Sequence, residues 1–294
     1  MSLARFSSKN VLVPIIAAAA GVGIVSYLKS SQVGNEPSKA FTGDGNWIDL
    51  KLIKSEQVTH DTKHLTFALP KSDQVSGLTT ASLVFAKYVT PKGNNVVRPY
   101  TPISDNDQQG TIEFAIKKYD TGKMSVHVHN LKENDTLSFK GPIIKWKWEP
   151  NQFDEIDLIG GGSGITPLYQ LVHEISKNPH DNTKVKLFYG SQTENDVILK
   201  KELDEIAKKH KDQIQIHYFA DKVSSTWDGE TGYINKEFLQ KHLPGPKSNS
   251  KVFVCGPPGL YEAISGNKVS PSDQGEVTGI LADLGYTKEN VFKF

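Results

Sequence analysis

The pattern of apolar residues changes near Glu149-Pro150, and this change constrains the fold more than any other feature of the chain. Before it, short apolar or alternating runs, such as residues 112–116, are separated by turn residues. After it, apolar strands alternate with longer helical patterns. Many short strands predict an antiparallel β-barrel, whereas alternating strands and helices predict a parallel sheet. We therefore expect two domains, in residues 41–150 and 151–294.

The second half also predicts where a ligand would bind. Its predicted strands are residues 156–159, 185–189, 214–219 and 252–255, and its predicted helices are residues 168–177 and 197–210. Ligands of such sheets bind beyond the carboxyl ends of the strands. A glycine-rich run after Ile159, Asp221 after the third strand and Cys255 at the end of the last all fall there. We therefore expect a binding site at this edge of the sheet.

The composition excludes several classes of function. A chain of 294 residues with a formal charge of +1 has room for two domains and lacks the basic excess of a nucleic-acid binder. Its one cysteine, Cys255, excludes an internal disulfide framework and an iron–sulfur cluster held by cysteines. His127 and His129 are too few ligands to define a metal site. We expect no metal, so redox chemistry would require an organic cofactor.

Residues 1–40 differ from the rest of the chain. Residues 11–28 are uncharged and mostly apolar, Arg5 and Lys9 precede them, and no acidic residue occurs before Glu36. Eighteen residues is near the lower limit for a membrane-spanning helix. A secretory signal peptide has a similar pattern, and an acid-free, serine-bearing start also suits mitochondrial targeting. We interpret residues 1–40 as a targeting segment, membrane anchor and linker.

The run Arg98-Pro99-Tyr100-Thr101 suits a dinucleotide that lies along an extended strand. Pro99 favours the extended conformation at Arg98, so residues 98 and 100 project to one face and residue 101 to the other. The arginine can make bidentate bonds to a pyrophosphate. The Tyr100 ring can lie against a flavin ring, and Thr101 can reach a flavin nitrogen. By itself, the run is a weak signal that more often marks an edge strand leading into a turn.

The run from Gly160 to Pro167 lacks both the G-x-G-x-x-G spacing and the lysine of a phosphate-binding P-loop. Small residues nevertheless let backbone amides approach a phosphate at a helix N-terminus, and Thr166 and Pro167 suit the start of a helix. A tight structural turn is the alternative interpretation.

Four motifs occur in a specific order: Arg98-Pro99-Tyr100-Thr101, Gly122-Lys123-Met124-Ser125, the run from Gly160 to Pro167, and Cys255-Gly256-Pro257-Pro258. This series resembles the ferredoxin-NADP reductase superfamily and, within it, the NADH-cytochrome b5 reductases. The resemblance covers about residues 41–294. Residues 146–148 and 151–153, with the amino-terminal segment, look most like the fungal mitochondrial form.

The resemblance implies an FAD-binding antiparallel β-barrel domain, an NADH-binding α/β domain with a parallel sheet, and an N-terminal membrane anchor. It also implies a reaction in which hydride passes from NADH to FAD and single electrons then pass to cytochrome b5 or a related haem protein. Residues 11–28 would anchor the enzyme at the mitochondrial outer membrane or in the intermembrane space. A membrane-tethered oxidoreductase that reduces a quinone, and a non-enzymatic flavin-binding module, are the alternatives.

The resemblance assigns Thr101 and Cys255 as catalytic residues, with Cys255 near the nicotinamide and forming no bond to it. A small buried apolar residue is the alternative interpretation of Cys255. Asp221 would contact the adenosine ribose and favour NADH over NADPH, unless it is an ordinary loop aspartate. The chain has Gly259-Leu260 where the family usually has proline and methionine.

The remaining assignments also follow from the resemblance. Arg98, Gly122 and Ser125 would hold the flavin pyrophosphate, Lys117 and Tyr119 would place NADH, and Phe294 would border the flavin. The expected cofactor-binding residues are Arg98, Pro99, Tyr100, Thr101, Lys117, Tyr119, Gly122, Lys123, Met124, Ser125, Gly161, Gly162, Ser163, Gly164, Thr166, Pro167, Asp221, Cys255, Gly256, Pro257, Pro258 and Phe294.

Overall fold

Two six-stranded sheets organise the chain, one antiparallel and one parallel. The computed structural model describes residues 36–246 and 248–294, and residues 38–294 form one compact unit. The predicted anchor at residues 11–28 lies outside these described residues. Within them, no helix is both long enough and apolar enough to cross a membrane.

The first sheet has the strand order β4-β3-β6-β1-β2-β5, and every neighbouring pair is antiparallel. Its elements are β1 Ile48–Thr59, β2 Thr62–Ala68, β3 Ser82–Val89, β4 Asn95–Tyr100, β5 Thr111–Lys117, α1 Lys123–Asn130 and β6 Thr136–Ile144. Side chains alternate between core and surface along the strands, as in β2, where Leu65 and Phe67 are fully buried.

This sheet curls around an aromatic core without closing. Phe114 of β5 and Phe139 of β6 are separated by two strands in the sheet, yet their rings stack with centroids 5.3 Å apart. Among residues 36–246 and 248–294, no ladder of hydrogen bonds joins β4 to β5. The predicted barrel is therefore a curled sheet with two edges. Pro99 lacks an amide hydrogen, which suits β4 to an edge position.

The second sheet has the order β10-β9-β8-β7-β11-β12 and is parallel throughout. Its strands are β7 Glu155–Gly161, β8 Lys184–Thr193, β9 Ile214–Lys222, β10 Glu230–Thr231, β11 Ser250–Cys255 and β12 Val291–Lys293. Its helices are α2 Ile165–Lys177, α3 Lys200–Lys209, α4 Lys236–His242, α5 Pro258–Ile264 and α6 Gly279–Asp283. The four predicted strands are confirmed. The helix predicted from residue 197 begins only at Lys200, because Leu199 adopts a left-handed conformation with φ of 61°.

Helices cover both faces of the parallel sheet. Leu158 of β7 belongs to the core beneath α2, whereas Ile159 belongs to the core on the opposite face with Leu239 of α4. From β7 the chain proceeds to β8, β9 and β10 on one side, and then returns to place β11 on the other side. Such a switch in direction leaves a crevice at the carboxyl ends of the two central strands, β7 and β11.

The core of the second sheet contains an unpaired acid. Asp157 of β7 is fully buried, and neither carboxyl oxygen has a hydrogen-bond partner. Burial, helped by the charge of nearby Glu155 and opposed by Lys186, raises the pKa of Asp157 to about 8. The group is therefore neutral in the folded protein at pH 7, whereas it would be ionised in the unfolded chain.

This difference gives a prediction for stability. Between about pH 4 and pH 8 the folded state binds a proton that the unfolded state has lost, so stability falls as the pH rises through this range. Asp157→Asn should flatten that dependence and raise the free energy of unfolding at pH 8 by about 2 kcal/mol or more. Urea unfolding at pH 5 and pH 8 measures the effect, with the exposed Asp154→Asn as control. Parallel pH profiles for wild type and Asp157→Asn would contradict this account.

Candidate functional site

A cavity of about 420 Å³ lies between the two sheets, beside the edge strands β4 and β5 and the carboxyl ends of β7 and β11. Most of the predicted site residues line it. They are Pro99, Tyr100, Thr101, Lys117, Tyr119, Ser125, Ser163, Gly164, Thr166, Pro167, Cys255, Gly256, Pro257 and Phe294. Residues from all four motifs therefore meet at one place.

The first sheet contributes a flat aromatic ring and a fixed cation. The Tyr100 ring packs edge-on against Phe114, with centroids 6.5 Å apart, and burial raises the pKa of Tyr100 to about 12. The hydroxyl therefore stays protonated. The Lys117 ammonium pairs with Asp61, whose other carboxyl oxygen accepts a hydrogen bond from Thr59 at 3.0 Å. This network holds Lys117 in one place at the wall.

The start of α1 has backbone amides that can bind a ligand, and Ser125 of this helix lines the cavity. Gly122 is the N-cap and has no side-chain capping bond, and the first backbone bond of the helix runs from Val126 N to Gly122 O at 2.9 Å. The amides before Val126 therefore suit an anion. Ser125 Oγ accepts a hydrogen bond from Tyr119 N at 3.1 Å. Met124 is buried in the core, so only its backbone can contact a ligand.

The glycine-rich run forms a tight loop between β7 and α2. Residues Gly162–Gly164 form one turn of 3₁₀ helix, and Gly162 has a φ of +53°. A Cβ on Gly164 would overlap the backbone carbonyl of Cys255. Glycine is therefore required where the loop meets the cysteine turn. Thr166 Oγ1 donates to Ser163 O at 3.3 Å and closes the first turn of α2.

Several side-chain contacts join the two halves of the chain, including those of Gln170 with Pro102 and of Lys177 with Asp105. Tyr119 Oη and Ser163 Oγ lie 2.8 Å apart at the cavity wall. On the outside, His60 Nδ1 lies 2.8 Å from the carboxylate of Asp196, which is buried. The cavity is thus formed by two halves that are in direct polar contact.

Cys255 and the end of the chain complete the wall. Burial raises the pKa of the Cys255 thiol to about 11, so the sulfur is a neutral thiol near pH 7 and a poor nucleophile. Phe294 N donates to Val254 O at 3.0 Å, and Tyr261 Oη donates to Phe294 O at 2.9 Å. These bonds hold the Phe294 ring at the cavity next to the cysteine turn.

The other predicted residues are not part of the cavity wall. They are Arg98, Gly122, Lys123, Met124, Gly161, Gly162, Asp221 and Pro258. Arg98 and Lys123 are exposed, and the Arg98 guanidinium donates to Val97 O at 2.7 Å. Asp221 lies at the end of β9, where its carboxylate accepts a hydrogen bond from the exposed Tyr233 and raises the pKa of that tyrosine.

Sequence reasoning missed five lining residues: Leu83, Ala115, Ile116, Lys145 and Tyr261. Tyr261 lies four positions after Pro257 at the start of α5, so helical spacing could have placed it near the cysteine turn. Ala115 and Ile116 immediately precede Lys117 on β5. No local signal marks Lys145, because only the folding of the chain brings the end of β6 to the cavity.

Comparisons with known proteins match both halves of the chain. The family model described as oxidoreductase FAD-binding domain matches residues 49–148, and the model described as oxidoreductase NAD-binding domain matches residues 158–266.

Relatives match the whole chain. A Meyerozyma guilliermondii protein named NADH-cytochrome b5 reductase 2 is 66% identical and aligns over 100% of both chains. A Scheffersomyces stipitis protein of the same name is 65% identical over 100% of this chain and 98% of its own length. Among solved structures, the cytochrome b5 reductase domain of Ulva prolifera nitrate reductase is similar, with a TM-score of 0.76 and 26% identity. That match covers 87% of this chain and 100% of the domain.

Proposed function

The chain belongs to the NADH-cytochrome b5 reductase family, and from this membership we propose that it uses NADH, through FAD, to reduce cytochrome b5. The observation that carries the proposal is the cavity between the two domains. Its walls combine the Tyr100 strand from one domain with the Gly164 loop and Cys255 turn from the other. A reaction between two nucleotides requires such a shared space.

The first half of the wall fits FAD. The Tyr100 ring offers a flat apolar surface, and the uncapped amides at the start of α1 suit the pyrophosphate. Arg98 extends from the same strand as Tyr100, two residues before it, and its exposed guanidinium is accessible to the pyrophosphate. We assign the isoalloxazine to the Tyr100 and Thr101 wall.

The second half suits NADH. The glycine loop and the cysteine turn lie at the switch point of the parallel sheet, the usual site of nucleotides in such sheets. Asp221 lies at the carboxyl end of β9 in the same sheet, and Tyr233, which follows β10, lies beside it. A carboxylate there can accept a bond from a ribose hydroxyl and would repel a 2′-phosphate.

FAD bound there would supply the redox chemistry, as a cofactor that can take a hydride from NADH and pass electrons singly to a haem protein. The protein orients the two ring systems against each other. Thr101 provides a hydroxyl beside the flavin wall, and Cys255 provides a neutral thiol opposite it. Lys117, paired with Asp61, places an ammonium group that can donate hydrogen bonds on the same wall.

Purified full-length protein tests this proposal. We expect a flavin absorbance spectrum that bleaches on anaerobic addition of NADH, followed by stoichiometric reduction of added cytochrome b5. Bleaching without reduction of cytochrome b5, but with rapid reduction of a quinone analogue, would favour a small-molecule acceptor. A spectrum unchanged by NADH would overturn the proposal.

We also propose that residues 11–28 anchor the enzyme at a mitochondrial membrane. Their uncharged, mostly apolar composition and the preceding Arg5 and Lys9 support this. Charged residues at the centre of a membrane helix are costly. Ile16→Asp combined with Ile24→Asp should therefore release the protein from carbonate-washed mitochondrial membranes, and retention of the double variant would count against an anchor.

Arg98→Ala should weaken FAD binding. A charge-assisted bond to a phosphate contributes about 1.5–3 kcal/mol, which corresponds to a roughly tenfold to hundredfold higher dissociation constant. Fluorescence titration of the apoprotein with FAD measures it. Lys92→Ala, which removes an exposed cation from the turn between β3 and β4, is the matched control. An FAD affinity equal to wild type in Arg98→Ala would remove this residue from the site.

Asp221→Ala should narrow the preference for NADH over NADPH, because it removes the repulsion between the carboxylate and a 2′-phosphate. The measured quantity is the ratio of kcat/KM for the two cofactors, and we expect it to fall about tenfold or more. Asp228→Ala removes another exposed carboxylate from the loop after β9 and should leave the ratio unchanged. Equal ratios in wild type and Asp221→Ala would make Asp221 an ordinary loop residue.

A further inference from the structure

Lys293 of β12 carries a buried ammonium group that is surrounded by backbone carbonyls. The residue is 1% exposed. Its Nζ donates to the carbonyl oxygens of Ser265, Gly266, Asn267 and Glu276 at 3.2, 3.1, 3.4 and 2.9 Å. All four carbonyls belong to the segment between α5 and α6, which we call the 265–276 loop.

This ammonium is held by dipoles rather than by an opposite charge. Within residues 36–246 and 248–294, no carboxylate lies at salt-bridge distance from Lys293, and the Glu276 carboxylate pairs with Lys288 at 2.5 Å. Burial lowers the pKa of Lys293. A buried cation is costly unless its donors are satisfied, so the loop carbonyls and the ammonium stabilise each other's position.

The backbone of the same residue is fixed to the same loop. Lys293 N donates to Gln274 Oε1 at 2.6 Å, and Gln274 Nε2 donates to Lys293 O at 3.0 Å. Side chains alternate along a strand, so Lys293 points to the loop while Phe294 points to the opposite face of the sheet. Phe294 lines the cavity, so the loop and the cavity wall are joined through adjacent residues.

The loop also reaches the other domain. Lys145 Nζ, at the end of β6, donates to Pro271 O at 3.1 Å, and Lys145 is itself a lining residue of the cavity. Gly266 and Gly275 have φ of 77° and 63°, so the path of the loop depends on two left-handed turns. The Lys293 ammonium contacts both ends of this path.

We propose that Lys293 is a positioning residue for the NADH reaction: it holds the 265–276 loop in the shape that fixes Phe294 and Lys145 at the cavity wall. The inference rests on the proposed function, since it assigns the Cys255 side of the cavity to the nicotinamide. Its consequence is that nicotinamide binding depends on a cation that never touches the ligand.

Lys293→Met tests the proposal, because methionine fills a similar volume without the ammonium. The matched control is Lys251→Met. Lys251 is 8% exposed on the neighbouring strand β11, and its Nζ donates to Glu289 O at 2.6 Å, outside the 265–276 loop. We expect Lys293→Met to raise the KM for NADH about tenfold with kcat within about twofold, the pattern for lost ground-state binding.

Amide hydrogen exchange gives a readout that does not depend on turnover. Residues 266–276 should lose protection in Lys293→Met and keep it in Lys251→Met, although both variants should have a lower Tm. A wild-type KM for NADH in Lys293→Met would overturn the proposal, whether or not the loop exchanges faster.

Chemical rescue isolates the role of the ammonium. Lys293→Ala leaves four carbonyls around an empty space, and converging carbonyls bind cations. Butylammonium chloride should restore the KM of this variant toward wild type, whereas tetramethylammonium chloride, which has no N–H donor, should not. Equal effects of the two salts would contradict the proposal.

If both Lys293 variants fail to fold, Gln274→Ala still tests the proposal. It removes only the two bonds to the backbone of Lys293. We therefore expect it to raise the KM for NADH by a smaller factor than the Lys293 variants do, and an unchanged KM would overturn the proposal.

Failure of the wild-type protein to oxidise NADH would instead overturn the proposed function. Hydrogen exchange would still decide whether Lys293 holds the loop.

Discussion

The site depends on the close approach of two backbone turns, one at Gly164 and one at Cys255. A side chain at position 164 would meet the carbonyl of Cys255 and the amide of Gly256, so these turns can touch only through glycine. The turns follow β7 and β11, the two strands on either side of the switch in chain direction. The contact converts the crevice that the topology leaves there into a continuous wall.

The antiparallel sheet meets this wall at the point where its own hydrogen bonding stops. Pro99 cannot donate to a further strand, so β4 ends the sheet on one side and β5 ends it on the other. A closed barrel would fill this gap with its own ladder. Because the sheet stays open there, Tyr100 and Lys117 face the other domain, and the contact between Tyr119 and Ser163 joins the two walls.

Features with a local physical cause could be predicted from the sequence. Apolar periodicity predicted the parallel strands, and the rule that ligands bind at their carboxyl ends predicted the Gly164 and Cys255 turns as neighbours. Sheet closure could not be predicted, because no local pattern of residues determines whether β4 and β5, although consecutive in the chain, pair with each other in the folded sheet. Lys145 and Lys293 were missed for the same reason: their partners, Pro271 and the 265–276 loop, are brought to them only by the fold.

Two buried ionisable residues of the second sheet, Asp157 and Lys293, have opposite effects on the fold. Asp157 lies near the amino end of β7, has no partner and stays neutral. Its unsatisfied carboxyl group therefore lowers the free energy of unfolding at a place away from the cavity. Lys293 lies beside Val254 at the carboxyl end of the sheet, and its four carbonyl partners hold it firmly. Unsatisfied polarity destabilises a core, whereas a fully satisfied group restricts it to one arrangement. The satisfied group therefore lies at the end of the sheet that borders the cavity.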